Sequence, residues 1–314
     1  MPRSLPGRNY SHKEACLQGW KELKDYGQKL TAEIVFMRTY NRSDRTPYKE
    51  RIPDSENKLP VSISTNMLTK DFASVRALNG VTTNIEKGEI RGLLGPNGSG
   101  KSTFMKILMG LIKPDYGLAT VEGLDPSKDP IAVRQRVGYV PETPRLYDFL
   151  TGLEYLDFVA DLYGLPPQIK KERIDEFMTA FELTTQGNDL LSGYSQGMRQ
   201  KIAFSAALMH RPQVLILDEA LNGLDPRSAK IIKDTLVKLA SEGVTVLFST
   251  HVLEIAQVIC QRVTILDKGN ILAEGTLEGL RSMTGSSTTN LENIFLSLTG
   301  SSDVRAVVEA LTSK

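Results

Sequence analysis

Short, largely apolar runs alternate along this chain with longer stretches in which apolar residues recur every three or four positions. The runs at 90–94, 214–217 and 244–248 read as strands, the last two as buried ones. Val61 to Thr65 and Val81 to Ile85 read as short strands, and 110–123 as a helix stop followed by another. Val137 to Val140 predicts a strand that runs into a loop at Pro141-Glu142. Val263 to Asp267 and Asn270 to Leu272, joined by Lys268-Gly269, predict a hairpin. Helical periodicity marks 104–109, 151–163, 167–181, 197–210 and 291–298, and a further helix is expected over 303–311. The three central helices, within 151–212, read as an insertion between strands.

The N-terminal sixty residues follow a different pattern. Ser11 to Glu14 forms a capping box, and Cys16, Trp20, Leu23, Leu30, Ile34 and Met37 make an a/d stripe with Gly27 in the remaining slot. An amphipathic helix over 12–26 follows; 30–40 also permits a strand. Residues 41–60 are polar and carry Pro47, Pro53 and Pro60, as a linker does. The helix serves to dock a partner, or packs on the body of the protein, or belongs to an N-terminus longer than the core function requires. The expected division is an extension over 1–60, a main domain over 61–283 and a helical tail over 284–314.

Bulk properties add exclusions. The chain has 314 residues, a formal net charge of +1 and 24% charged residues, so no global basic field favours nucleic acid. No apolar run approaches the ~20 residues that span a bilayer, and the first residues lack the apolar core of a secretory signal. Cys16 and Cys260 have no metal-site spacing, and a reducing cytoplasm is the expected compartment.

The chemistry concentrates after the strand at 90–94. Gly95-Pro96-Asn97-Gly98-Ser99-Gly100-Lys101-Ser102-Thr103 is G-x-x-x-x-G-K-S between a strand and a helix, the context of a phosphate-binding loop. Its glycines let backbone N–H groups curl around phosphate oxygens. The helix N-terminus adds partial positive charge. Lys101 reaches β- and γ-phosphates, and Ser102 offers a hydroxyl to Mg²⁺.

Other candidates lie around that loop. Asp218, at the end of the strand at 214–217, suits the partner of a Mg²⁺ ion, and Glu219 suits a general base for water. His251 ends the next strand as either a γ-phosphate contact or a structural histidine. Glu142 is either a carboxylate near the γ-phosphate and metal or a solvated loop residue. Ser195 and Gly197, at the head of a helix, are either a second phosphate contact or an ordinary cap. Phe72 either stacks on an adenine ring or belongs to the core. Asn222-Gly223-Leu224-Asp225 reads as a turn.

Together these residues resemble the nucleotide-binding subunit of an ATP-binding cassette (ABC) transporter, over roughly 61–300. Ser195 stands 23 residues before Asp218, and Ser192 stands 26 before it. The first separation is the family's, so Tyr194 to Met198 takes the signature position and Leu191-Ser192-Gly193 does not. The resemblance implies an α/β fold: a P-loop NTPase core with a mixed β-sheet, an antiparallel β subdomain and a helical signature subdomain. It implies ATP and Mg²⁺ as cofactors, with Ser102, Asp218 and Glu142 on the metal side, Glu219 as base, and Lys101 and His251 on the γ-phosphate. Phe72 would meet adenine, and Ser195, Gly197 and Asp225 would serve a composite site.

Glu142 replaces the usual Gln, Met198 replaces a Gln, and Ala220 replaces a Pro. The first two departures, and the tail Asn290 to Gly300, are similar to exporter subunits whose membrane parts are separate chains. The implied partners are transmembrane permease subunits and a second nucleotide-binding subunit, a homodimer being favoured, at the cytoplasmic face of the cell membrane. A soluble ABC ATPase, a small-molecule P-loop kinase and a regulatory cassette are the alternatives. The 94 residues from Lys101 to Ser195 leave no room for the coiled coil of DNA-repair cassettes.

Overall fold

The computed structural model describes residues 60–284 and 291–299. The N-terminal helix and linker, and the helix expected over 303–311, lie outside the described residues. The described chain falls into two compact units, one holding residues 146–195 and a larger one holding the remainder.

In the larger unit the chain opens on β1 (Val61–Phe72) and β2 (Val75–Glu86), followed by β3 (Ile90–Leu94), α1 (Lys101–Leu108), β4 (Tyr116–Val121), α2 (Pro130–Arg134) and β5 (Val137–Val140). After the smaller unit come α5 (Gln196–Leu208), β6 (Val214–Asp218), α6 (Pro226–Ser241), β7 (Thr245–Ser249), α7 (Leu253–Ile259), β8 (Arg262–Asp267), β9 (Asn270–Gly275), α8 (Leu277–Thr284) and α9 (Leu291–Leu298). Among the described residues these strands form two sheets. One has the order β5-β6-β7-β3-β8-β9, parallel except for β9, and the other is the antiparallel β2-β1-β4.

The apolar runs become the middle of the parallel sheet. Every residue of β3, β6 and β7 is buried, as expected of strands covered on both faces. Arg91 is the exception in chemistry. Its side chain is 1% exposed, and it pairs with Glu89 and Glu274 while donating to Thr264 Oγ1 (3.0 Å) and the Asn84 carbonyl (2.9 Å). A guanidinium is tolerated there because its donors are met by fixed acceptors. The β8–β9 hairpin closes through Lys268 and Gly269, both at positive φ, as a tight two-residue turn requires.

The antiparallel sheet exceeds the expectation. The strands expected over 61–65 and 81–85 extend to twelve residues each. A bulge between Thr65 and Leu68, with Met67 at φ 53°, breaks the alternation of β1, so its two halves are out of phase in sequence while pairing continues to Phe72–Val75. Ile63, Leu68, Leu78, Val81 and Ile85 of this sheet pack with Phe104, Met105, Ile107 and Leu108 of α1 in one core.

The helices also differ from the expectation: α2, α6, α7 and α8 are not among the expected elements. The third helix of the presumed insertion, α5, belongs to the larger unit and packs on β5. A Cβ on Gly138 would lie 2.3 Å from the Ala207 carbonyl, so glycine is what lets α5 approach the strand so closely. The helix α6 follows directly on the turn at Asn222 to Asp225. Asp225 caps it, Pro226 opens it, and Ile232, Leu236 and Ala240 form its buried stripe.

The smaller unit is helical. Thr151 and Glu154 form a capping box at the head of α3 (Gly152–Leu162), which packs against α4 (Pro167–Ala180). Lys170 of α4 pairs with Asp157 and Asp161 of α3 at 2.6 and 2.8 Å. Leu191–Gly193 is a 3-10 turn.

Candidate functional site

The loop from Gly95 to Gly100 joins β3 to α1. Gly100 sits at φ +109°, and a Cβ there would stand 2.4 Å from the Ala77 carbonyl, so a side chain is excluded on both counts. The β8–β9 turn clamps the loop from outside: Gly269 N–H donates to the Ser99 carbonyl at 2.9 Å. The first N–H groups of α1 have no carbonyl one turn earlier to bind, which leaves a site suited to an anion.

Lys101 is buried, and its Nζ donates to the Gly95 and Pro96 carbonyls at 2.8 and 3.2 Å. Nζ lies 3.9 Å from Glu219 Oε1. Burial pushes its pKa down, while Glu219, then Asp218, then Glu142 pull it up. The lysine thus stands within the field of the acidic residues singled out in the sequence. Tyr139 reports the same cluster: burial first, then Asp218 and Glu142, push its phenol up to about 12. Glu142 itself is exposed.

Sheet register assembles the acidic side. Asp218, last in β6, pairs with Ser249, last in β7, and Ser249 pairs on its other side with Leu93 of β3. The Gly95 to Gly100 loop and the two carboxylates therefore emerge at the same, C-terminal edge of the parallel sheet, where such sheets bind ligands. Ser249 Oγ donates to Asp218 Oδ1 (2.8 Å) and accepts from the Glu219 N–H (3.0 Å).

Glu219 adopts φ +50°, a conformation that costs a non-glycine residue on the order of 1–3 kcal/mol. The local reversal sends its carboxylate to His251 Nδ1 (2.8 Å) and Asn222 Nδ2 (3.2 Å). A carboxylate only accepts, so Nδ1 of His251 carries the proton and Nε2 remains for a ligand. The side chain of His251 is 60% exposed, so it is no core histidine.

Ser249 and Asn222 were not singled out in the sequence. Asn222 had a weak signal, its place in a turn three residues after Glu219. Ser249 had none, since a small hydroxyl at a strand end acquires its role only from the register of two strands.

The remaining candidates are placed less centrally. Phe72, at the end of β1, is 44% exposed with the Lys70 ammonium 5.4 Å above its ring, which rules out the core reading. Gly197 lies in the first turn of α5, where a Cβ would stand 3.0 Å from the Gly223 carbonyl. Ser195 directly precedes that helix and closes the smaller unit.

Asp225 accepts from the Ser228 N–H (2.9 Å), the Ser228 hydroxyl (2.7 Å) and Lys201 Nζ (3.0 Å). These bonds, the backbone one foremost, hold its carboxyl far below its ordinary range. Asp225→Ala is expected to lower stability by about 0.5–2 kcal/mol in urea unfolding at pH 7, the worth of a helix cap. Because the folded-state pKa is depressed, this contribution is complete above the unfolded value and fades as pH falls toward the folded one. The two proteins should converge only below about pH 4.

A family model described as ABC transporter matches residues 78–222, from β2 through the phosphate loop and Asp218-Glu219 to Asn222. The ABC transporter ATP-binding protein YdbJ of Bacillus subtilis, itself uncharacterized, is 41% identical over 213 residues, covering 68% of each chain. The chain belongs to the ABC transporter ATP-binding family. NatA of Bacillus subtilis is 39% identical over 208 residues, 66% of this chain and 84% of its own. The daunorubicin/doxorubicin resistance ATP-binding protein DrrA of Streptomyces peucetius is 36% identical over 230 residues, 73% and 70% of the two chains.

Among solved structures, an ATP-binding subunit of an ABC transporter superposes with a TM-score of 0.72 at 31% identity, over 76% of this chain and 99% of its own. A dimeric ATP-binding cassette in a post-hydrolysis state, bound to ADP and Pi, gives 0.63 at 26% identity, over 68% and 98%. The fold of this ABC ATP-binding protein is thus the cassette fold, with its mixed sheet, antiparallel sheet and helical unit. The family match ends at Asn222, so the contact between Glu219 and His251 in this ABC protein is a finding of the structure.

Proposed function

We propose that this chain is the ATP-hydrolysing subunit of a membrane exporter, and that it closes on ATP as a homodimer and drives separate transmembrane permease subunits at the cytoplasmic face of the membrane. The observation that carries the reading is the meeting of Lys101, Asp218, Glu219 and His251 at one strand edge. The export direction draws on relatives whose names state drug resistance. The dimer draws on the related cassette bound to ADP and Pi.

In this reading the loop Gly95 to Thr103 cradles the phosphates and Lys101 neutralises them. Glu219 takes a proton from the attacking water, and His251 offers Nε2 to the γ-phosphate. Phe72 stacks on adenine. Ser195 and Gly197 cover the nucleotide of the second subunit, and Asp225 holds the turn between them. Ser102 and Asp218 are hard oxygen donors suited to Mg²⁺. Such an ion is held jointly with nucleotide phosphates and water. Mg²⁺ would supply charge neutralisation there, with Glu142 close by.

The test is co-purification. Tagged Glu219→Gln protein is recovered from detergent-solubilised membranes of its own cells with ATP and Mg²⁺. A co-purifying polytopic membrane protein is expected. Recovery only from the soluble fraction, on ribosomes, nucleic acid or alone, would move the assignment to a soluble or regulatory ATPase.

A further inference from the structure

Gln200 is one of the few fully buried polar side chains outside the residues already assigned, at 1% exposure on the second turn of α5. Its Nε2 donates to the Ala220 carbonyl at 2.9 Å and approaches the Pro141 carbonyl at 3.4 Å. Ala220 is the residue after Glu219, and Pro141 is the residue before Glu142. One amide group therefore bridges the segment that carries the base to the loop that carries the third acidic residue near Lys101. Its Oε1 has no hydrogen-bond partner among the described residues.

The neighbours of Gln200 on α5 also reach toward these segments. Arg199 Nη2 lies 3.5 Å from the Pro144 carbonyl, and Lys201 pairs with Asp225. The head of α5 thus touches both loops that frame the site. The helix is itself fixed on β5, the strand that leads into Pro141, through the close approach at Gly138.

We propose that Gln200 is a positioning residue for ATP hydrolysis: its amide holds the backbone on either side of the site so that Glu219, in its strained conformation, keeps its carboxylate on the attacking water. The inference rests on the hydrolytic reading of the site above. Gln200 does not touch the reacting atoms, and binding of nucleotide by the loop and Lys101 does not depend on it.

The test compares wild type, Gln200→Leu and Gln200→Glu by steady-state ATPase kinetics, fluorescent-nucleotide affinity and thermal midpoint. Gln200→Leu keeps the shape and removes both donors. Its kcat is expected to fall by about 10- to 100-fold, the scale of a small misplacement of a reacting group, with nucleotide affinity within about twofold of wild type. Gln200→Glu adds a distinguishing readout. As a carboxylate it faces two carbonyl oxygens with no donor; as a neutral acid its O–H can donate to Ala220. Burial raises the pKa of such a carboxyl. The ratio of its kcat to that of wild type should therefore rise as pH falls, while the ratio for Gln200→Leu stays flat.

A kcat for Gln200→Leu within twofold of wild type overturns the inference and leaves the hydrolytic reading standing. So does a parallel loss of kcat, nucleotide affinity and thermal midpoint in both variants, which assigns Gln200 to packing. An inert wild-type protein sinks both readings.

Discussion

Glu219→Gln should bind ATP about as well as wild type, dimerise on it, and hydrolyse it about 10²–10⁴-fold more slowly, the usual worth of a positioned general base. The substitution is nearly isosteric. The amide carbonyl can still accept from His251 Nδ1, and the backbone N–H remains tied to Ser249. Neither bond depends on the carboxylate charge, so the φ +50° turn that aims the side chain has no reason to change. What disappears is the atom able to take a proton from water. Loss of one negative charge beside Lys101 also favours the triphosphate, which makes retained or tightened binding the expected companion of slow turnover. Phosphate release and light scattering with and without ATP measure the two properties. Wild-type turnover in the variant would remove Glu219 from the chemistry.

Lys101→Ala is expected to abolish most of the stabilisation that ATP confers. A ligand at a thousand times its Kd raises folding stability by about 4 kcal/mol. The wild type should show a gain of that order in urea unfolding with saturating MgATP. The variant, measured against its own ligand-free form, should show about a third of it. The physical reason is the balance of charge. Lys101 lies within the fields of Glu219, Asp218 and Glu142, and a triphosphate entering without the ammonium would meet those carboxylates across a partly desolvated space. Loss of such charge-assisted bonds is worth up to about 3 kcal/mol, or roughly a hundredfold in affinity. Referring each protein to its own ligand-free state cancels the separate effect of removing the bonds from Nζ to Gly95 and Pro96. An undiminished ATP shift in the variant would show that the loop backbone alone carries the affinity.

The stretches legible from sequence alone are short and contiguous. Gly95 to Thr103 lies within nine positions, so its backbone requirement is visible as glycine spacing. The strands β3, β6 and β7 are predominantly apolar because both faces are covered. Asp218 and Glu219 follow one of them immediately. Leu291–Leu298 is a helix at the expected place, and the hairpin after Val263 closes where Lys268-Gly269 said it would.

The tertiary structure decided what depends on partners distant in sequence. Ser249 serves Asp218 and Glu219 only because two strands pair in one register, across a separation of 31 residues. Arg91 sits in the middle of a buried strand because Glu274, far along the chain, arrives to meet it. The bulge at Met67 hides the true length of β1, since the alternation changes phase within the strand. The assignment of α5 to the sheet rather than to the helical unit follows from one close approach at Gly138, and with it the reach of Gln200 to the segments at Pro141 and Ala220. Local pattern records which residue types a segment needs. Register, close approach and the pairing of buried charge are properties of two segments at once, and no single stretch of sequence carries them.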